Sequence, residues 1–462
     1  MNPIRHPAAK EMRRIARTKT ECADPAELED EDRLIFAAYE NSLKQQNAFD
    51  FDDLIEKPVC IFESNKEILE KHRARHLYVL VDEFQDVNRA EYLLVKLLAG
   101  VHRNLNVVGD DNQSIYRFRG ADFRNFLNFE KDWPETKVVN LGENYRSSGA
   151  IVRASYGVIQ NNKFQRPKKL STPNEEGAPI KIIATDSPEE EAESIVRELS
   201  NYLSVGGERA ISKSVILYRT NAQSRALEGA FSIAGINYDI YGGLKFYERK
   251  EVRDIVSAVR YATNPNDEVS LERLNKTFRK AVREELADKL PKLGKELNIL
   301  ELIGFFIKTT DYPTHLAEKS DNSEERLENV SELLKFAGTF ENASDFLERI
   351  TLLQDADRPQ RGDPSKSIKM MSIHLAKGLE FDRVFLVGAS EGLLPHERSF
   401  NSPEDIEEER RLMYVAMTRA RKELIISFYG LASRFLYEIP PELVEFKNPK
   451  FGSDDGETYI SY

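Results

Sequence analysis

The sequence predicts an α/β protein made of two parallel-sheet domains, the second of them interrupted by a helical insertion. Three observations predict it. Short β-rich runs alternate with helical patterns, which is the signature of strands joined by crossover helices. The alternation occurs in two sets, separated by a stretch rich in Asn, Lys and Pro between Val152 and Pro179. From about Asn264 to Pro364 the chain is helical and charged, with almost no strand signal.

The first few dozen residues are charged and poor in strand signals, and Ala26–Leu43 reads as a helix ending near the polar QQN. Three β-rich runs follow, Leu77–Val81, Leu105–Val108 and Lys137–Leu141. The second set comprises Ile180–Ala184, Ser214–Tyr218, Ile368–Ile373, Arg383–Val387 and Leu424–Phe428. A helix after the first of these has a clear start: Ser187 suits the N-cap, Pro188 the first helical position, and Glu190 completes a capping box. Ala192, Ile195, Val196 and Leu199 give it an apolar face. The insertion ends in the polar DADRPQRGDPSK. This places a first domain at 1–150, a second at 151–263 and 365–435, the insertion at 264–364, and an acidic C-terminal tail at 436–462.

The 462 residues are enough for two to four domains, and 40% hydrophobic with 31% charged residues is an ordinary globular balance. No apolar run is long enough to span a bilayer, and the basic start lacks the apolar segment of a secretory signal. The two cysteines, Cys22 and Cys60, have neither CxxC spacing nor a nearby His pair, so a reducing cytoplasm is expected rather than a disulfide framework or zinc site. A net charge of -12 and a pI of about 5.4 argue against a protein that coats nucleic acid through overall charge. A local basic groove remains compatible with that balance.

Five sites carry chemistry. In YVLVDEFQD a hydrophobic strand ends in Asp82 and Glu83, at the edge where open α/β sheets bind ligands. Asp82 suits a magnesium ion held through oxygen or water. Glu83 suits a base that polarises water for attack on a γ-phosphate. An isolated Asp-Glu pair is more often a solvated turn; Gln85 and Asp86 directly after it favour function. In NVVGDDNQSIYRFRGAD a strand ends in Gly109-Asp110, Gln113 suits a phosphate sensor, and Tyr116, Phe118 and Arg119 place two rings and a guanidinium within four residues. That grouping suits stacking on single-stranded bases, whereas a lone Tyr or Phe is usually core. In LGENYRSS, Arg146 is read as following a strand within reach of a phosphate, with Tyr145 available to stack on a base. In SIHLAKGLEFDRVFLVG, His374, Lys377 and Glu380 fall between two strands. In EEERRLMYVAMTRARKEL, Leu412, Val415, Ala416 and Arg419 share one helix face. Arg419 is thereby positioned as an arginine finger requires, against the commoner fate of a surface salt bridge.

These five sites, in this order, resemble the motifs of superfamily-one DNA helicases of the UvrD/Rep/PcrA group. NAFDFDDLI (47–55), YRTNAQSRALE (218–228) and GGLKFYERKEVRDI (242–255) resemble further motifs of that family. The resemblance runs from about Asn47 to Tyr429 and is weakest in the insertion. It implies two RecA-like motor domains and an ATP- and Mg2+-dependent helicase or translocase of 3′-to-5′ polarity. Its partners would be single-stranded DNA and single/double-strand junctions. It further implies Asp82 as metal ligand, Glu83 as catalytic base and Gln113 as the γ-phosphate sensor. Tyr145 would stack on adenine, Arg146 and Arg419 would contact the γ-phosphate, and Glu380 would lie near ribose and phosphates. Phe51, Tyr116, Phe118, Arg119 and His374 would contact single-stranded DNA. Phe118 departs from the family, where tryptophan is usual.

One part is missing. The chain contains no GxxxxGK[ST] phosphate loop: its only Gly-Lys pair, Gly294-Lys295, is followed by Glu296 inside the insertion. In the family fold the strand of that loop lies inside the first sheet. The first domain is therefore expected to be N-terminally incomplete, with open strand edges and an uncovered apolar face, and inactive alone. A split protein whose partner polypeptide carries the Walker A region, a fragment, or a remodelled descendant would each explain this. The retained Asp82, Arg146 and Arg419 favour the first two. The competing function is a non-catalytic single-stranded DNA or protein-binding module. The insertion takes the place of the family's mobile regulatory subdomain and is shorter than is usual there.

Overall fold

The structure is a computed structural model that describes residues 9–206, 211–320, 322–356 and 367–447. It divides into two compact units, one of residues 1–141, 162–168 and 317–321, the other of residues 142–161, 169–316 and 322–462.

In the first unit, β1 (Val79–Val81) pairs in parallel with β2 (Leu105–Val107), with Val79 opposite Leu105 and Val81 opposite Val107. Side chains alternate across a strand. Val79, Val81, Leu105 and Val107 pack on a core of Phe84, Val87, Ala99, Phe129 and Trp133. Leu80, between the two valines of β1, is 76% exposed. The helix Arg89–Ala99 that follows β1 is closed by a capping box between Asn88 and Glu91.

Lys137–Leu141 does not form the expected strand. Its propensity is real, but a strand exists only where a neighbouring backbone takes up its N–H and C=O groups. The described strands of this unit are β1 and β2 alone, and they pair with each other. Arg146 consequently follows an irregular segment with a single bridge, Glu143 to Ser171, rather than a strand. The expected helix at Ala26–Leu43 is split: a 3-10 turn, Pro25–Glu27, capped by the Asp24 side chain, precedes the helix Asp30–Gln45. That helix ends in a left-handed Asn47, φ 50°, with Ala48 N–H donating to Leu43 O and Asn47 N–H to Lys44 O. This is a Schellman closure.

The second unit is built on a seven-stranded parallel sheet. Its strands are β3 (Ile180–Thr185), β4 (Ser214–Tyr218), β5 (Tyr238–Ile240), β6 (Ile368–Ser372), β7 (Phe381–Leu386), β8 (Ala420–Tyr429) and β9 (Val444–Lys447). Their spatial order is β5-β6-β4-β7-β8-β3-β9. All five residues of the central β4 are buried, as expected of a parallel strand covered on both faces. The two strands without an expected counterpart, β5 and β9, are the outermost, short and only partly buried. The last of them falls in the segment read as an acidic tail; residues 448–462 of that segment lie outside the described residues.

The helix Pro188–Gly206 begins as the sequence indicates, with Glu190 N–H donating to Ser187 Oγ at 3.2 Å. Its reciprocal bond differs by one residue: the Glu190 carboxylate accepts from Asp186 N–H at 2.9 Å. The inserted region runs from helix Glu268–Thr277 to helix Ala343–Ala356, around Leu274, Leu286, Leu290, Ile303, Phe306, Leu333 and Phe346. Asn329 ties it to the helix Lys250–Thr263, accepting from the N-cap residue Arg249 and donating to Glu251. Most of the DADRPQRGDPSK segment lies outside the described residues.

Candidate nucleotide and strand-contacting site

The first unit assembles five of its motif residues into one hydrogen-bonded line. Asp82 is exposed at the C-terminal end of β1, and its Oδ1 accepts from Glu83 N–H at 2.8 Å. Glu83 is left-handed, with φ 50°, a conformation costly for a non-glycine residue and frequent at functional sites. Gln85, fully buried, holds its carboxylate: Nε2 donates to Glu83 Oε2 at 2.5 Å, and Oε1 accepts from Asp110 N–H at 2.9 Å. Asp110 Oδ2 in turn accepts from Gln113 Nε2 at 2.8 Å. The proposed base and the proposed sensor are thus joined through a buried amide. Gly109 makes the approach possible, since a Cβ there would lie 2.7 Å from Gln85 Oε1.

Lys168, from a distant stretch of sequence, closes this arrangement. Its Nζ pairs with Asp110 and lies 2.7 Å from Asp111 Oδ1. Burial alone would lower its pKa, but the two carboxylates outweigh burial and raise it. The backbone N–H of Arg166 donates to Asp111 Oδ2 at 2.6 Å. Nothing in the local sequence RPKKL signals this role; only the fold brings Lys168 to Asp110.

The ring-bearing residues lie on the surface of the same unit. Phe118 is 68% and Phe51 90% exposed, while Tyr116 is half-buried with its ring centroid 6.0 Å from that of Phe118. Large exposed rings forgo burial worth about 1.5–3 kcal/mol each. The backbone of Arg119 lies in the 3-10 turn Arg117–Arg119, and its side chain lies outside what the structure describes.

In the second unit Arg146 Nε donates to Glu380 Oε2 at 2.8 Å, and Arg421 lies 3.4 Å from Glu380 Oε1. Glu380 precedes β7, and the Arg419 backbone joins the same corner, accepting from Phe381 N–H at 2.9 Å. Arg419 does not lie on the helix: Pro403–Met417 ends before it, Thr418 is the C-cap, and Arg419 sits in the turn into β8. Its side chain is 1% exposed and runs back under the helix end. Nε donates to Val415 O at 3.0 Å and Nη1 to Leu379 O at 3.2 Å. Rigid placement is therefore reached through the turn. Tyr145 is 71% exposed, and its hydroxyl donates to Glu143 Oε2 at 2.5 Å. His374 is half-buried in the short helix Ile373–Ala376. Arg421 was not among the residues singled out from sequence; its place two residues after Arg419 is the one available signal.

Among the described residues, no cluster of three or more His, Cys, Asp or Glu side chains is arranged to hold a metal ion. Magnesium at a nucleotide site needs one or two carboxylates plus waters and phosphate oxygens, so the lone, exposed Asp82 fits that demand. Cys22 and Cys60 are free thiols, and burial with the neighbouring Glu56 pushes Cys60 up to about 12, away from reactivity. No described helix is long and apolar enough to cross a membrane.

Comparison with known proteins gives the family. Residues 6–134 match the UvrD/REP helicase N-terminal domain. Residues 139–313 and 308–430 match the UvrD-like helicase C-terminal domain. These matches define a superfamily-one helicase chain. Among curated relatives, ATP-dependent DNA helicase PcrA of Bacillus subtilis is 38% identical over 479 aligned residues, covering 90% of this chain and 65% of the relative. The protein of the same name from Staphylococcus aureus (strain Mu50) is 36% identical, with 89% and 64% covered. The chain belongs to the UvrD/PcrA-like helicase family. It spans just under two thirds of the length of these relatives.

Proposed function

We propose that this chain is the larger part of the motor of an ATP-dependent DNA helicase or translocase of 3′-to-5′ polarity, and that it does not turn over ATP by itself. The observation that carries the reading is the line from Glu83 through buried Gln85 to Asp110 and Gln113. It links a base to a sensor three residues from Tyr116, so nucleotide state is relayed toward a strand-stacking surface. ATP with Mg2+ supplies the phosphoryl group and the charge neutralisation. Asp82 would hold the metal, Glu83 would orient and deprotonate water, and Arg146 and Arg419 would neutralise charge on the transferring phosphoryl group. Glu380 holds Arg146 until the nucleotide engages it, and Tyr145 stacks on the base. Phe51, Tyr116, Phe118, Arg119 and His374 contact single-stranded DNA.

Inactivity alone rests on the phosphate loop that these 462 residues lack. A separate polypeptide carrying the Walker A strand, loop and helix is the partner this reading calls for. The uncovered faces in the first unit favour it: Leu80 is 76%, Val139 67% and Leu141 82% exposed. The test is ATP hydrolysis by the chain alone, then with such a fragment and single-stranded DNA. Turnover is expected only in the mixture, and Glu83→Gln should abolish it. DNA-stimulated turnover by the chain alone, lost in Glu83→Gln, would overturn the inactivity. Fragment binding without turnover would leave the strand-binding module as the function, with DNA affinity independent of nucleotide.

A further inference from the structure

The loop that carries Phe51 is held by a device the motifs do not contain. It lies between two helix ends. Asn47 closes the helix Asp30–Gln45, and the helix Asp53–Ser64 begins just beyond it. Across that second junction Asp50 and Asp53 exchange bonds: Asp53 N–H donates to Asp50 Oδ1 at 2.8 Å, and Asp50 N–H to Asp53 Oδ2 at 3.1 Å. Asp53 is 2% exposed and the Asp50 side chain 21%, so this pairing brings a buried and a partly buried carboxylate together, which is costly unless a cation is supplied.

Lys19 supplies it. Its side chain is 1% exposed, and Nζ lies 2.7 Å from Asp50 Oδ2, 2.7 Å from Asp53 Oδ1 and 2.6 Å from Glu40 Oε1. Tyr39 adds a hydroxyl to Asp50 Oδ2 at 3.0 Å. Burial would lower the ammonium's pKa, but the three carboxylates outweigh it and raise the pKa. The charge is therefore fixed at every pH of interest. Asp50, the residue so anchored, sits between two phenylalanines that both project into solvent, Phe49 at 71% and Phe51 at 90% exposure.

We propose that Lys19 is a positioning residue for single-strand binding: its buried ammonium pins Asp50, and Asp50 fixes Phe49 and Phe51 as a paired stacking platform, with Phe49 a second base contact. This rests on the strand-binding reading above. Lys19 cannot itself touch a phosphate, because its ammonium is buried among three carboxylates inside the fold. Without it, Asp50 and Asp53 repel each other and the loop at 47–52 loses the geometry that aims both rings.

The test measures binding of a fluorescent oligothymidylate to the 462-residue chain by anisotropy, over a range of salt. Phe49→Ala and Phe51→Ala should each weaken binding about fivefold or more, the range expected for one base stack. Lys19→Met should weaken it comparably with an unchanged salt slope, since no phosphate contact is removed. In a Phe49→Ala/Phe51→Ala background, Lys19→Met should have no further effect, which a general loss of structure would not reproduce. Should Lys19→Met fail to fold, Asp50→Asn removes the same ion pair with little change of shape and should behave alike. The anchor is overturned if the rings matter but Lys19→Met and Asp50→Asn leave affinity unchanged, if either weakens binding equally in the ringless background, or if the salt slope drops by about 1, as a phosphate contact would require. If neither ring matters, the strand path through this loop fails, and the platform with it.

Discussion

Arg146 and Arg419 are assigned the same task but held in opposite ways, and this separates their contributions to stability and turnover. Arg146 makes a single-oxygen contact with Glu380, the two side chains being 33% and 45% exposed. Ion pairs with that access to water contribute about 0–1 kcal/mol. Arg146→Ala should therefore leave the denaturation midpoint of the chain almost unmoved. Arg419 is buried and donates to Leu379 O and Val415 O. Its removal strips donors from the buried Val415 O and the partly buried Leu379 O and opens a cavity under the helix end, at a combined cost of roughly 2–4 kcal/mol. In a mixture with the phosphate-loop fragment, both variants should lower ATP turnover at least a hundredfold, because arginine contacts of this kind are worth about 10³–10⁵ in rate. Arg419→Lys should recover part of the stability but little turnover, since an ammonium lacks the planar fork. Urea melts of the variants and steady-state hydrolysis by the mixtures check both halves. Equal stability losses in the two alanine variants would refute the burial argument. Unchanged turnover in Arg146→Ala would refute its role at the phosphate.

Three further outcomes are expected. Tyr116→Ala and Phe118→Ala should each weaken oligothymidylate binding by about 1–3 kcal/mol with little change in salt dependence, while Arg119→Ala should flatten the salt slope; anisotropy titrations read all three. Gly109→Ala should destabilise the first unit by roughly 1–3 kcal/mol, because the added methyl lies 2.7 Å from Gln85 Oε1 and 3.0 Å from Phe126, and melts monitored by near-ultraviolet circular dichroism test it. Glu191 is buried, which pushes its carboxyl from 4.5 up to about 7 despite the N–H of Gly388 donating to it. Between those values the folded chain holds a proton that the unfolded chain has lost, so stability falls as pH rises from 4.5 to 7 and then levels. Glu191→Gln should match the parent at pH 5 and exceed it by up to about 3 kcal/mol at pH 8, and an equal difference at both pH values would contradict this.

The parts of the fold legible in sequence were those whose cause is local. Ser214–Tyr218 reads as a fully buried strand because five consecutive residues face covered surfaces. Ser187 and Pro188 announce a helix start because capping involves atoms only a few residues apart. The edge strands Tyr238–Ile240 and Val444–Lys447 escaped notice because each has a neighbour on one side only, and little burial to shape its sequence. Within the site, the motif residues were legible as types at fixed spacing, but their connections were not. Gln85 joins Glu83 to Asp110 across 25 residues, and Lys168 reaches Asp110 across 58. Lys19 meets Asp53 from 34 residues away. Nothing in the immediate surroundings of a lysine distinguishes one that will be buried among carboxylates from one left in water.

Lys137–Leu141 shows the opposite failure, a local signal that is correct and yet unfulfilled. The run has the β-branched, apolar character of an inner strand, yet it carries no regular secondary structure. What it lacks is a partner: β1 and β2 bond to each other, and among the described residues no strand pairs with Lys137–Leu141. The bare side of β1 points to the same cause. Val79 and Val81 are packed on the core of the unit while Leu80, facing the other way, is 76% exposed. A strand selected for a one-sided sheet would carry a polar residue there, because alternation of apolar and polar positions is what a half-solvated sheet requires. Leu80 and Leu141 are instead what a sheet covered on both faces requires. The composition of these runs is thus suited to a larger sheet than β1 and β2 make.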